Sequence, residues 1–314
     1  MVPHLQLVPQ AAPLPAPAAP GLEPLDESAG FLGMGRSLTF PYPQWRDRDP
    51  YRTVFFDEGR GHPVVLVHGL GANATHFEHI AQGLVARHRV VGLDLVGCGW
   101  SRKPPIRYTV DVLRDHLISF LERRGIRRAT LVGHSMGGTV VLATALARPG
   151  LVDSLVLICG AGVAPLPRYL RTAAPLGLRR ALLYPFLRYG AGFILDNVFV
   201  DTPEQNRYVR WFRESAMRDA PGCPSLDDFV RVCTTLCVDL ARRDFCAELP
   251  SLRVPVLGLW GDHDKLTALA PVLRQLGRIA RVRTVVLPRT GHMPMVERPA
   301  ETLFHLERFL RDPP

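Results

Sequence analysis

The stretch Leu131–Val141, LVGHSMGGTVV, sets a serine in a Gly-x-Ser-x-Gly frame between two apolar runs. Serine fills neither a helix interior nor a strand interior well, and glycine in a helix interior costs about 1 kcal/mol relative to alanine. Local stability does not account for the arrangement. Gly-x-Ser-x-Gly between a strand and a helix does, because the serine then stands on a sharp, strained turn and the glycines admit close backbone approach. The hydroxyl projects at the top of a sheet, beside the positive N-terminus of the next helix. The bland alternative is a glycine-rich turn with an incidental serine. The surrounding sequence decides between them.

On either side, short β-rich runs alternate with longer helical patterns. PVVLVHG (63–69), RVVGLDL (89–95), RATLVGH (128–134), VDSLVLICG (152–160), VPVLGLWG (254–261) and RVRTVVLP (281–288) read as strands. Helical spacing is predicted over 75–88, 109–125, 136–149 and 300–310, with Val112, Leu113, Leu117, Phe120 and Leu121 forming one apolar face. TVFFDEG (53–59) reads as part of an antiparallel edge hairpin. The pattern predicts an α/β fold: a mostly parallel open sheet covered by helices on both faces, with right-handed crossovers. The core then spans 50–162 and 251–312. Residues 163–250 show no strand pattern, and Pro175, Pro185, Pro203, Pro221 and Pro224 punctuate them. This segment reads as a helical cap inserted between core strands. Residues 1–45, rich in proline and alanine, read as a flexible tail without the basic and apolar regions of a secretory signal.

The net charge of +9 comes with 38 Lys and Arg residues, of which only Lys103 and Lys265 are lysines. No basic cluster is interleaved with aromatics, so nucleic acid is not an expected partner. Contact with an anionic membrane surface stays open. No run of about 18 apolar residues suggests a membrane span. The expected location is cytoplasmic, with peripheral membrane contact allowed. The six cysteines, at 98, 159, 223, 233, 237 and 246, show no pairing or metal-binding pattern and read as reduced thiols. Neither a metal nor a cofactor is expected.

An activated serine needs a base, and the base needs an orienting acid. PRTGHMP (288–294) places His292 after the last strand, and WGDHDK (260–265) places Asp262 and Asp264 after the preceding one. Chain order is Ser135, acid, His292, and all three follow strand C-termini, where open α/β sheets bind ligands. Spacing leaves Asp262 and Asp264 both eligible.

GHSMG, the trailing histidine loop and the acid loop together resemble the α/β-hydrolase superfamily, in its capped esterase- and lipase-like branch, over about residues 50–312. The resemblance favours Asp264, the last position of Gly261-Asp262-His263-Asp264, as the acid. VLVHGLGAN (65–73) resembles the family's His-Gly oxyanion loop. By that resemblance the backbone N–H groups of Leu70 and Met136 receive the developing oxyanion, supported by His68, Gly69, Gly133 and Gly137. His68 is expected to orient the loop, and His134 to serve in packing. DLVGCGWS (94–101) resembles a structural turn of the family, with Asp94 fixing a loop and Cys98 in place of a bulky residue.

Serine at the elbow points to acyl transfer through an acyl-serine. The leading expectation is hydrolysis of a carboxylic ester with an apolar acyl group, the partner being a small acyl substrate. Carbon–carbon hydrolysis of dienoic ring-fission products and acyl transfer to an alcohol share this machinery. A ligand-binding receptor on the same fold is the non-enzymatic alternative. Leu, Phe, Tyr and Ile over 165–200 alternate with Arg168, Arg171, Arg179, Arg180 and Arg188. They read as packing with a solvated basic face, or as an acyl pocket near anionic lipid. The sequence does not fix the oligomeric state.

Overall fold

The computed structural model describes residues 5–7, 53–200 and 226–314. Eight strands form one sheet: β1 (Leu5–Leu7), β2 (Phe55–Glu58), β3 (Pro63–Val67), β4 (Arg89–Leu93), β5 (Ala129–His134), β6 (Val152–Ile158), β7 (Val256–Gly261) and β8 (Val282–Leu287). Their order is β1-β8-β7-β6-β5-β3-β4-β2. Every neighbouring pair is parallel except β2 with β4. Two expectations need adjustment. The antiparallel edge strand pairs with β4 rather than with β3, its neighbour in sequence, so it forms no hairpin. Leu5–Leu7, expected within the flexible tail, pairs with β8 and extends its edge, which would otherwise present an open ladder. The rest of the tail lies outside the described residues.

Nine helices follow the strands: α1 (Glu78–Leu84), α2 (Val110–Arg123), α3 (Met136–Ala147), α4 (Arg168–Gly177), α5 (Arg180–Val198), α6 (Leu226–Arg242), α7 (Leu269–Leu276), α8 (Pro294–Glu297) and α9 (Pro299–Arg311), counted among the described residues. Strand side chains alternate between two apolar layers, as a pleated strand buried on both faces requires. Val65, Val67, Leu131, Leu155 and Leu157 pack with α2, α3 and α7 through Leu113, Leu117, Val140, Val141 and Leu276. Val64, Leu66, Val132, Val156 and Ile158 face the other way, onto α1 and α9, through Ile80, Leu84, Leu306 and Phe309. Full burial of each such side chain is worth roughly 1.5–3 kcal/mol. A register slip of one residue would reverse every one of these faces.

Helices α4, α5 and α6 all fall between β6 and β7. Pro175 and Pro185, read from sequence as interruptions, lie inside α4 and α5. Each removes one backbone donor. The described side chains around both prolines are largely exposed, so the freed carbonyls can turn to water. Pro203, Pro221 and Pro224 fall outside the described residues, as does Cys223.

Candidate active site

The six-strand run from β8 to β4 is parallel, so the loops after β3, β5, β6, β7 and β8 meet along one sheet edge. The backbone strain collects there too. Among the described residues the non-glycine residues with positive φ are Ser135 at 51°, Cys159 at 45° and Arg289 at 49°. They follow β5, β6 and β8. Such conformations cost on the order of 1–3 kcal/mol each and persist only where the surroundings impose them. At Ser135 the N–H donates to the Ile158 carbonyl at 3.0 Å, and its own carbonyl accepts from Ala161 N–H at 2.9 Å.

The glycines make the turn possible. A Cβ on Gly133 would stand 2.4 Å from the Gly137 carbonyl oxygen, and one on Gly137 would stand 2.1 Å from that of Val67. The β3 loop therefore lies directly against the turn. A Cβ on Gly69 would come within 3.2 Å of the Ser135 Cβ.

Behind the turn, His292 Nδ1 lies 2.9 Å from Asp264 Oδ2, with the His292 side chain 5% exposed and that of Asp264 fully buried. The Asp264 carboxylate also accepts from the Leu266 N–H at 2.8 Å, the Thr267 N–H at 3.0 Å and the Thr267 hydroxyl. Burial pushes its pKa up, but the hydrogen bond and charge of His292 and the Thr267 bonds outweigh it and hold it at about 2. Asp262 is engaged elsewhere: it sits 2.6 Å from His263 Nδ1 and accepts from the Thr290 N–H at 3.1 Å. It pins the loop that carries His292 without touching the imidazole.

Two further residues hold His292: Glu297, which sequence reasoning missed, and His134, whose tie to the base it did not foresee. His134 Nε2 lies 2.9 Å from the His292 carbonyl oxygen, so it must be the protonated nitrogen, and the two rings are 5.0 Å apart. Burial, with the nearby His292 adding to it, keeps the His134 pKa well below its usual value, so the ring is neutral. The packing role expected for His134 thus includes a specific tie between the Ser135 turn and the His292 loop. The buried Glu297 carboxylate accepts from the N–H groups of Gly291 at 3.0 Å, Met293 at 3.2 Å and Val200 at 2.9 Å. The His292 N–H itself donates to the Val198 carbonyl at 2.8 Å. The end of α5 and the base loop are therefore clamped together. The available signal was an acid within an apolar run, HMPMVERP (292–299).

In the β3 loop, His68 Nδ1–H donates to the Gly69 carbonyl at 2.7 Å and Nε2 accepts from the Leu95 N–H at 3.1 Å. Both ring nitrogens are spent on backbone. Burial lowers its pKa despite the charge of Asp94 nearby, so it bridges two loops as a neutral ring. Asp94 accepts from the N–H groups of Ala74 and Trp100, each at 2.8 Å. Met136 opens α3, where an N–H has no carbonyl four residues earlier within the helix. Leu70 packs beneath Leu183, Val230 and Cys233 of the insertion, and Phe229 reaches the space beside Gly71.

One group of potential metal-ligand atoms occurs among the described residues: Cys159, Asp264 and His292, within 4.8 Å of one another. The carboxylate and imidazole are already hydrogen-bonded to each other. Burial and the Asp264 charge push the Cys159 thiol pKa well up, so it is held protonated rather than as a thiolate ligand. Cys98 is likewise buried, its thiol pushed up to about 12. No helix among the described residues is long and apolar enough to cross a membrane.

Residues 62–299 match the family model described as the alpha/beta hydrolase fold. A 2-hydroxy-6-oxo-6-(2'-aminophenyl)hexa-2,4-dienoic acid hydrolase of Metapseudomonas resinovorans is 28% identical over 258 residues, spanning 79% of this chain and 84% of the relative. Among solved structures, a thermophilic esterase from Thermogutta terrifontis superposes with a TM-score of 0.71 at 25% identity, covering 84% of this chain and 96% of its own. A membrane phospholipase A gives a TM-score of 0.68 at 29% identity, covering 86% and 85%.

Proposed function

Because the chain belongs to the alpha/beta hydrolase fold family, we propose that it hydrolyses a carboxylic ester of an apolar acyl group through an acyl-serine on Ser135. The observation that carries this reading is the buried Asp264–His292 pair set beside the strained turn of Ser135. With Nδ1 directed to Asp264, His292 presents Nε2 as the basic nitrogen.

Ser135 Oγ attacks the ester carbonyl carbon while His292 Nε2 takes its proton. The carbonyl oxygen becomes the oxyanion and is received by the N–H groups of Leu70 and Met136, fixed before charge develops; losing one such donor typically costs about 3 kcal/mol. Collapse expels the alcohol, protonated by His292. Water then attacks the acyl-serine, giving its proton to His292, and the acid leaves as Ser135 regains its hydroxyl. Asp264 stays ionised and stabilises the imidazolium. The side chain of Leu70 packs against the apolar cluster of Leu183, Val230 and Phe229 in the insertion, which supports an apolar acyl group.

Likeness to a dienoic acid hydrolase favours one alternative, carbon–carbon hydrolysis at the same residues. A fluorophosphonate probe tests the shared nucleophile: covalent labelling is expected and should vanish in Ser135→Ala. A panel of p-nitrophenyl esters against a dienoic diketone then separates the two reactions. Labelling of another serine would refute the assignment.

A further inference from the structure

The outer faces of α4 and α5 carry large apolar side chains that the fold leaves in solvent. Tyr169 is 70% exposed, Leu176 58%, Leu182 54% and Phe186 49%, with Leu166 ahead of them at 39%. Tyr169 and Leu176 are seven residues apart, and Leu182 and Phe186 four apart, so each pair shares one helix face. Inward-facing Leu183 is buried and packs on α6, which shows that α5 already has its core contact. These apolar groups are surplus to that packing.

The charge on these two helices is predominantly basic. Arg168, Arg179 and Arg180 are exposed and Arg171 is half-buried, and no Asp or Glu occurs from 161 to 195. Arg180 finds Asp227 of α6 at 2.6 Å. The patch is thus apolar with a cationic surround, and it lies on helices that do not reach across a membrane. A second copy docked face to face by a two-fold axis would bring the same arginines together, while Asp227 is already engaged by Arg180. A bilayer carrying anionic headgroups meets both demands: arginine guanidinium groups pair with phosphates while aromatic and aliphatic side chains enter the acyl boundary.

We propose that the α4–α5 face is a docking surface for an anionic lipid bilayer, seating the insertion on the membrane. The inference rests on surface residues alone and is independent of the reaction assigned to Ser135. The test is sedimentation of the full chain with sucrose-loaded vesicles of phosphatidylglycerol and phosphatidylcholine, and of phosphatidylcholine alone. Binding is expected to the first only, and to weaken as salt rises. Arg168→Gln, Arg171→Gln and Arg179→Gln combined should lower the binding constant about a hundredfold. Tyr169→Ser, Leu176→Ser, Leu182→Ser and Phe186→Ser combined should abolish binding. Both variants should hydrolyse a soluble short-chain ester at the wild-type rate, or take a fluorophosphonate equally if no ester is turned over, which certifies their folding. Absence of binding, binding equal on neutral vesicles, or binding untouched by either variant overturns the proposal. A dimer that the serine variant dissociates, without vesicle binding by the wild type, would instead assign the face to a second copy.

Discussion

The C-terminal edge of the sheet and the helical insertion above it are built on opposite principles. At the sheet edge, buried carboxylates are saturated with backbone donors: Asp94 holds Ala74 and Trp100, Asp264 holds Leu266 and Thr267, and Glu297 holds Gly291, Met293 and Val200. Each loop therefore has little freedom, which is what preorganised chemistry demands. In α4 and α5, by contrast, most of the described side chains are exposed, and prolines remove backbone bonds inside both helices. One seam between the two regions is Val198–Val200 against His292 and Glu297, and another joins Arg231, Thr235 and Asp239 of α6 to the 103–110 segment after β4.

The largest effects are expected at the rigid edge. Ser135→Ala should lower kcat on any accepted ester by roughly 10⁴-fold or more. Asp264→Asn should cost about as much, because an amide opposite Nδ1 leaves the imidazole in the wrong tautomer and the imidazolium without its partner charge. Asp262→Asn, which alters only a loop contact with Thr290 and His263, should cost far less. Steady-state kinetics of the three variants checks this ranking, and a larger loss at Asp262 would reverse the assignment of the acid.

The seam at Glu297 comes next. Glu297→Gln leaves one carbonyl oxygen where a carboxylate served three N–H groups, so at least one buried donor loses its partner at about 1–3 kcal/mol. Misplacement of a base by about 1 Å costs up to about a hundredfold. The expected result is kcat lowered about 10- to 100-fold with KM little changed, and phosphonate labelling of Ser135 slowed in parallel. A loss of thermal stability with an unchanged labelling rate would reduce Glu297 to a purely structural tie.

The frame of this edge was legible in the sequence because its signals are local. Strand runs are short, apolar and bounded by turn residues, and the Ser135 pentapeptide is read within a few residues. Ties between distant loops were not legible. The bond of His134 to the His292 carbonyl joins residues 158 positions apart, and nothing in GHSMG announces it. Asp262 and Asp264 stand equal by spacing, and the bond to His292 separates them only in three dimensions. The helical reading of the insertion holds for α4 and α5, but the prolines did not give the helix boundaries: proline reports a missing donor, and an exposed helix tolerates that loss.

One buried carboxylate at the start of α1 breaks the pattern of saturation. Glu78, 2% exposed at the start of α1, has one carboxylate oxygen without a hydrogen-bond partner. Burial raises its pKa to about 7. The folded state therefore holds a proton that the unfolded chain releases near pH 4.5, so folding loses stability as pH rises through that interval and the loss is complete above about 7. From the shift the full effect is at most about 3 kcal/mol. Glu78→Gln should gain stability over the wild type at pH 8 and not at pH 4. Urea titrations at the two values measure the difference, in which contributions from the neighbouring histidines cancel. Equal differences at both would show that Glu78 is ionised in the fold.

The smallest effect per step concerns the apolar cluster where the two regions meet at Leu70. Leu183, Val230 and Phe229 bring that cluster no charge, so each added acyl methylene is expected to leave water for an apolar wall. Complete transfer is worth about 0.8 kcal/mol per CH₂, which bounds the gain at about fourfold per carbon. Because the insertion is less constrained than the sheet edge, that gain should persist along the chain rather than stop at a rigid wall. kcat/KM on p-nitrophenyl esters should rise from acetate to at least hexanoate. Leu183→Ala should flatten the slope while leaving the acetate rate nearly intact, since acetate does not reach the cluster. A monotonic fall from acetate would mean that the insertion closes on a small polar substrate, and the dienoic diketone would then be the compound to try.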